Sequence, residues 1–197
     1  MIHTLSIVTV TLVNLFITAY YCWQIVRQKI KPSLAMWVFF TIAVFGSLIT
    51  YLSEGNYRLV DNILNSTDIL LVVSVTAAIS LYGDKSTKFN AFDKGCLAAV
   101  LVIAVFWLLT QNHIVAHLLI QAILVIAYFP VVRRLWTAQK NTESFLAWIG
   151  MMVAPMLSLL SSKGLLATIY SVRAIVCTGL LLLLMLRVEM QPRRQSA

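Results

Sequence analysis

The chain has 197 residues, 60% of them hydrophobic and 11% charged, with a mean hydropathy of +0.89 and a formal net charge of +8. A soluble domain of this length needs far more polar surface, so a water-soluble enzyme or binding module is excluded and lipid is the main solvent. A nucleic-acid surface would gather the basic residues on one exposed face, whereas here they lie in short loops between apolar runs.

One helical span needs about 20 mostly apolar residues. Seven runs meet that need, roughly at 4–26, 33–53, 59–82, 91–111, 113–133, 143–162 and 165–187. Backbone in hydrocarbon must satisfy its own hydrogen bonds, so each run is predicted to be a helix. The first begins MIHTLS, without Lys or Arg, and reads as a retained span rather than a cleaved signal. Its Asn14 reads as an interhelical hydrogen-bonder or cavity liner. The second run carries Trp37, Ser47 and Tyr51.

The third run, LVDNILNSTDILLVVSV, holds the sharpest polar signal. A carboxylate at a helix centre costs about 2.5–3.5 kcal/mol on insertion scales, so Asp68 must face a cavity or a partner. Asp61, Asn65 and Asp68 fall at i, i+4 and i+7 and share one helix face. In the fifth run His113, His117 and Gln121 also share a face. Two His at i, i+4 have metal-pair spacing, but no Glu and no third ligand accompany them. They read instead as an outer-loop residue (His113) and interhelical hydrogen-bonders, and no metal or cofactor is expected.

The seventh run carries Arg173 in ATIYSVRAIVCTGLL, for which Asp61 or Asp68 is the natural partner. Trp23, Trp37, Tyr82, Trp136 and Trp148 stand at run ends and read as interface anchors. Cys22, Cys96 and Cys177 all lie inside runs, which argues against a disulfide framework or a metal site.

Orientation follows from the Lys and Arg residues. With the N-terminus outside, 12 of the 15 fall on the cytoplasmic side, leaving Arg58, Lys163 and Arg173 elsewhere. The net charge is then a matter of orientation, with anionic headgroups as its partner.

The chain also repeats itself. Ala19-Tyr20-Tyr21 matches Ala127-Tyr128-Phe129, 108 positions later. Past a loop of different length the spacing becomes 111 and holds: Ser33 with Ser144, Trp37 with Trp148, Ser47-Leu48 with Ser158-Leu159, and Thr50 with Ser161. Three spans are an odd number, so a directly joined second copy would enter the membrane upside down. The fourth run carries the chain back across. The expected fold is an all-α membrane protein of seven transmembrane helices, two parallel three-helix repeats joined by an inversion helix. Its divisions are a first repeat at 1–87, a linker helix at 88–111, a second repeat at 112–190 and a cytoplasmic tail at 191–197. Parallel repeats place a substrate site near the midplane between the bundles.

At this point the residues resemble a family. Pro130-Val131-Val132-Arg133-Arg134-Leu135-Trp136, followed by Thr142-Glu143-Ser144-Phe145, is similar to the loop after the first helix of a SWEET repeat. SWEETs are sugar uniporters of the PQ-loop superfamily. Leu159 to Gly164 resembles the close of their next helix, with Tyr51 to Gly55 as its first-repeat counterpart. Asn65-Ser66 is similar to the Asn-Ser of their third helix, where the resemblance implies a pocket-lining Asn. The chain departs from the family in lacking the Pro-Gln pair, with Val131 after Pro130, and in carrying Val176 at the counterpart of Asn65.

The expected function is transport of a small polar solute, a sugar or sugar-like molecule, by alternating access between the two bundles. Ser47, Tyr51, Asn65, Asp68, Ser158 and Arg173 are the expected binding residues, and Pro130 the expected hinge in the fifth helix. No nucleophile–base–orienter set and no Gly-rich phosphate loop appears, so the chain is not read as an enzyme. The alternative is a membrane receptor or sorting protein on the same fold, with Arg173 receiving a peptide or small ligand. Short loops point to a bacterial inner membrane. The expected partners are the solute and the lipid bilayer, no nucleic acid, with a homo-oligomer left open.

Overall fold

The computed structural model describes residues 1–32, 34–83, 91–138, 141 and 143–190. The expected tail at 191–197, the repeat residue Ser33 and most of the loop before the fourth run lie outside the described residues. Among those described, every regular element is helical: α1 (Ile2–Val26), α2 (Leu34–Glu54), a 3-10 turn (Leu59–Asn62) leading into α3 (Ile63–Tyr82), α4 (Ala91–Thr110), α5 (His113–Ile126), α6 (Phe129–Thr137), α7 (Phe145–Ser158) and α8 (Gly164–Met190). Five described segments are long and apolar enough to cross a membrane: Ile2–Val26, Met36–Glu54, Leu59–Tyr82, His113–Thr137 and Gly164–Met190. Leu101–Thr110 and Phe145–Ser158 are shorter apolar helices. Large apolar side chains such as Leu12, Leu109 and Leu183 stand exposed on the outside, where a soluble fold would carry charge. These are the features of an integral membrane protein.

The fifth apolar run is two helices rather than one. α5 stops at Ile126, and α6 begins at Phe129 with Pro130 in its first turn. A proline has no N–H to give and crowds the preceding turn, so the ladder breaks before it. The two-residue joint Ala127–Tyr128 is held by the Ala127 N–H on the Ile123 carbonyl and the Tyr128 N–H on that of Val125. Ser144 N-caps α7, accepting from the Ala147 N–H.

Helix neighbours fall into two groups. α3 packs against both α1 and α2; α8 packs against α7, α5 and α6. Between the groups α1 meets α7 and α2 meets α5, while α4 rests on α5 and α2. The contacts also fix directions. Asn14 Nδ2 donates to Thr67 Oγ1 at 2.7 Å and Gln28 Nε2 to the Tyr82 carbonyl, so α1 and α3 run together. Ser6, early in α1, meets Leu157 and Ser161 at the far end of α7, whereas Tyr21, late in α1, reaches Glu143 just ahead of α7. Those two helices are therefore antiparallel. α2 and α5 are antiparallel as well, since Thr50 meets His117 at one end and Phe40 meets Tyr128 at the other.

The end holding the start of α1 is latched across the groups. The Lys163 N–H donates to the Asp61 carbonyl at 2.9 Å, and Lys163 Nζ lies 2.7 Å from Asp61 Oδ1. Arg58 Nε stands 3.6 Å from Oδ2 of the same carboxylate. Lys163→Met leaves the buried Asp61 facing only the exposed Arg58. Because the lysine is half exposed, the expected loss is modest, about 1 kcal/mol. It is read as a lowered unfolding midpoint in detergent, and an unchanged midpoint would mean the pair is too well solvated to matter.

Candidate functional site: a polar cavity between the helix groups

A narrow cavity, part of it open to the outside, lies where the two groups meet. Its walls come from α1 (Asn14), α2 (Trp37, Phe40, Val44), α3 (Leu64, Asp68, Leu71, Val72), α5 and its joint (Leu124, Tyr128), α7 (Trp148, Met151, Ala154, Pro155) and α8 (Tyr170, Arg173, Ala174, Thr178). Among the described residues, α4 contributes nothing to the lining.

Asp68 reaches the cavity because α3 turns the face shared with Asp61 and Asn65 toward the other helices. Its carboxylate is held from both groups: Asn14 Nδ2 donates to Oδ1 at 2.9 Å, and the Tyr170 hydroxyl donates to Oδ2 at 2.8 Å. One turn along α8, the Arg173 guanidinium lies 4.8 Å from the centre of the Tyr170 ring. Its Nε donates to Gln121 Oε1 at 2.7 Å. The same tyrosine therefore touches the anion with its hydroxyl and the cation with its face.

Behind Gln121 the polar contacts continue away from the cavity. Gln121 Nε2 donates to Ser47 Oγ at 2.9 Å and stands 3.1 Å from His117 Nε2. His117 Nδ1 lies 3.1 Å from Thr50 Oγ1. A glutamine amide donating to Nε2 assigns the proton to Nδ1, which then donates to Thr50. Asn65, with its amide turned to satisfy both ends, accepts from Ser47 Oγ and the Leu48 N–H and donates to the Val44 carbonyl. These groups are fully enclosed, and their hydrogen bonds join α2, α3, α5 and α8 as interhelical polar contacts do in lipid.

Of the six residues expected to bind solute, the structure brings Asp68 and Arg173 to the cavity. Ser47 and Asn65 lie one layer out, in the network just described. Tyr51 is at the latched end, stacked on Tyr57 with ring centres 4.6 Å apart and its hydroxyl donating to the Lys163 carbonyl. Ser158 is enclosed between α7 and α8, bonded to the Pro155 carbonyl and to Ser171 Oγ. Pro130 follows the α5–α6 joint, one residue beyond the one that separates it from the cavity-lining Tyr128.

Three expectations are corrected. Arg173 pairs with neither Asp61 nor Asp68: Asp61 takes Lys163, and Arg173 takes Gln121 because the Tyr170 ring stands between it and Asp68. Trp37 and Trp148 are not interface anchors; each is 1% exposed and lines the cavity, whereas Trp23, Tyr82 and Trp136 are exposed. His113 opens α5 rather than sitting in a loop, and accepts from Trp107 Nε1 at 2.7 Å. No three His, Cys, Asp or Glu side chains converge as metal ligands among the described residues. Tyr170 went unnoticed in the sequence, although its place one turn before Arg173 marks it as sharing that face.

Comparison of the chain with protein-family models, curated proteins and solved structures gave no match. The functional reading therefore rests on the cavity itself.

Proposed function

We propose that this chain is an integral membrane transporter that carries a small polar solute between two three-helix units by alternating access. The observation that carries the reading is a cavity lined from α1, α2 and α3 on one side and α5, α7 and α8 on the other, with a fixed carboxylate and a fixed guanidinium facing into it. Intramembrane charge is expensive and, where kept, marks a solute or ion pathway. A single crossing by α5 and α6 together makes seven spans, with α4 as the inversion helix.

The helix pairing supports two parallel repeats. Exchanging α1 with α5, α2 with α7 and α3 with α8 turns the α1–α7 contact into the α5–α2 contact. Ser6 with Ser161 and His117 with Thr50 are similar contacts: Thr50 and Ser161 stand 111 positions apart, and the 108-residue spacing of the first span sets Ser6 against Ile114, one turn before His117. Trp37 and Trp148, also 111 apart, both line the cavity. Units of this kind rock against each other about a shared central site, and the joint before Pro130 is the place where the fifth span can bend. On this reading the protein is SWEET-like, with an outside N-terminus in a bacterial inner membrane, and the resemblance implies a sugar as the solute.

Alternating access has a test that needs no known solute. In the full chain with Cys22, Cys96 and Cys177 replaced by Ala, Ala174→Cys places one thiol on the cavity wall. In sealed liposomes of known orientation, a membrane-impermeant methanethiosulfonate reagent should label it from either side. Labelling from one side only would favour the receptor reading.

A further inference from the structure

Resting on the transporter reading, we propose that the solute is a zwitterion with a flat apolar side chain, of the aromatic α-amino-acid type, its ammonium at Asp68 and its carboxylate at Arg173. The cavity holds one unit of each charge, and the two do not neutralise each other directly. Asp68 is bound by Asn14 and Tyr170, Arg173 by Gln121, and no ion pair joins them among the described residues. The Tyr170 ring is the spacer: its hydroxyl holds one charge and its face supports the other. Opposite charges held apart across a partly dry space are matched by a molecule that carries the complementary pair.

The remaining hydrogen-bonding capacity agrees. An ionised carboxylate offers about four acceptor positions, and two donors are seen on Asp68. A guanidinium has five N–H groups; Gln121 takes the one on Nε, the Tyr128 hydroxyl and Cys177 thiol also lie beside it, and donors remain for a ligand. An ammonium and a carboxylate would each add charge-assisted hydrogen bonds, the stronger kind. A neutral polyol would bring dipoles alone and leave both charges without counter-ions in a low-dielectric setting.

The rest of the wall is apolar, largely aliphatic (Val44, Leu64, Leu71, Val72, Leu124, Met151), with four aromatic side chains grouped together. Trp37, Phe40, Tyr128 and Trp148 form a chain of ring contacts, with centres 5.8 Å apart for Trp37–Phe40, 5.1 Å for Phe40–Tyr128 and 6.1 Å for Tyr128–Trp148. Such a surface suits a planar apolar group through offset and edge contacts.

The test is calorimetric binding to the purified full chain of four probes: phenylalanine, phenethylamine (ammonium alone), 3-phenylpropionate (carboxylate alone) and glucose. Phenylalanine should bind at least about tenfold tighter than either single-charge analogue, and glucose more weakly than all three. Arg173→Gln should weaken phenylalanine to the level of phenethylamine and leave phenethylamine itself unchanged. Glucose binding tightest, or phenylalanine binding no better than its two analogues, overturns the zwitterion. Should the Arg173 variant not fold, the four-probe series on the unaltered protein decides alone. The two readings fail separately: one-sided thiol labelling removes transport and leaves the ligand class standing, whereas two-sided labelling with glucose preferred does the reverse.

Discussion

Asp68→Asn is expected to lower flux of the solute that the unaltered protein carries by about 10- to 100-fold, while leaving thermal stability equal or higher. The flux loss follows from removing a charged acceptor, since hydrogen bonds to charged groups contribute about 1.5–3 kcal/mol and each 1.4 kcal/mol is tenfold. The amide keeps one oxygen for Asn14 Nδ2, and its NH₂ then faces the Tyr170 hydroxyl, which must turn from donor to acceptor. Stability moves the other way, because a neutral side chain is cheaper than a carboxylate at mid-helix in lipid. Proteoliposome uptake and a melting curve in detergent measure the two quantities. Undiminished flux would remove the carboxylate from the mechanism, and a collapsed melting temperature would make Asp68 a structural staple.

Gly164→Val should be the most destabilising single change at the latched end. Gly164 has φ +79°, a conformation a β-branched residue adopts only with strain. A Cβ there would also stand 2.5 Å from the Tyr57 hydroxyl oxygen. Strained backbone costs roughly 1–3 kcal/mol and overpacking about as much again, so about 2–6 kcal/mol in all is expected. Its neighbour Lys163 carries the latch to Asp61 through both its N–H and its ammonium. Distortion of the turn should therefore loosen the contact between the groups as well as the local chain. Denaturation of the full chain in mixed micelles reads this out, and a midpoint matching the unaltered protein would mean that the turn relaxes without strain.

The helices were legible because lipid demands long apolar runs, and their ends fall within a few residues of the expected bounds wherever the structure describes them. The fifth run needed its Pro130 taken more literally, as an end and a restart rather than a bend. Asp68 and Arg173 were legible for the same reason the runs were: a charge inside hydrocarbon has few places to go. Their partners were not. A sequence gives the face of a helix but not its rotation about its axis, and a modest rotation decides between a cavity and a helix–helix contact. Ser47, Asn65 and Ser158 lie on faces that pack against neighbouring helices, one layer behind the cavity. Trp37 and Trp148 misled because a tryptophan at a run end is ordinarily at the headgroups. Inside, Trp37 meets the Tyr21 ring of α1 and Trp148 meets the Tyr128 ring of the α5–α6 joint, contacts that come from other elements of the chain.

The length of α7 bears on the surrounding bilayer. With the turn that continues it to Ser162, α7 rises about 27 Å, a little short of roughly 30 Å of hydrocarbon, while the neighbouring α1, with 25 residues, rises about 37 Å. Lipid beside α7 must therefore thin, or its headgroups must dip toward Ser161 and Ser162. Acyl-chain length thereby bears on one wall of the cavity.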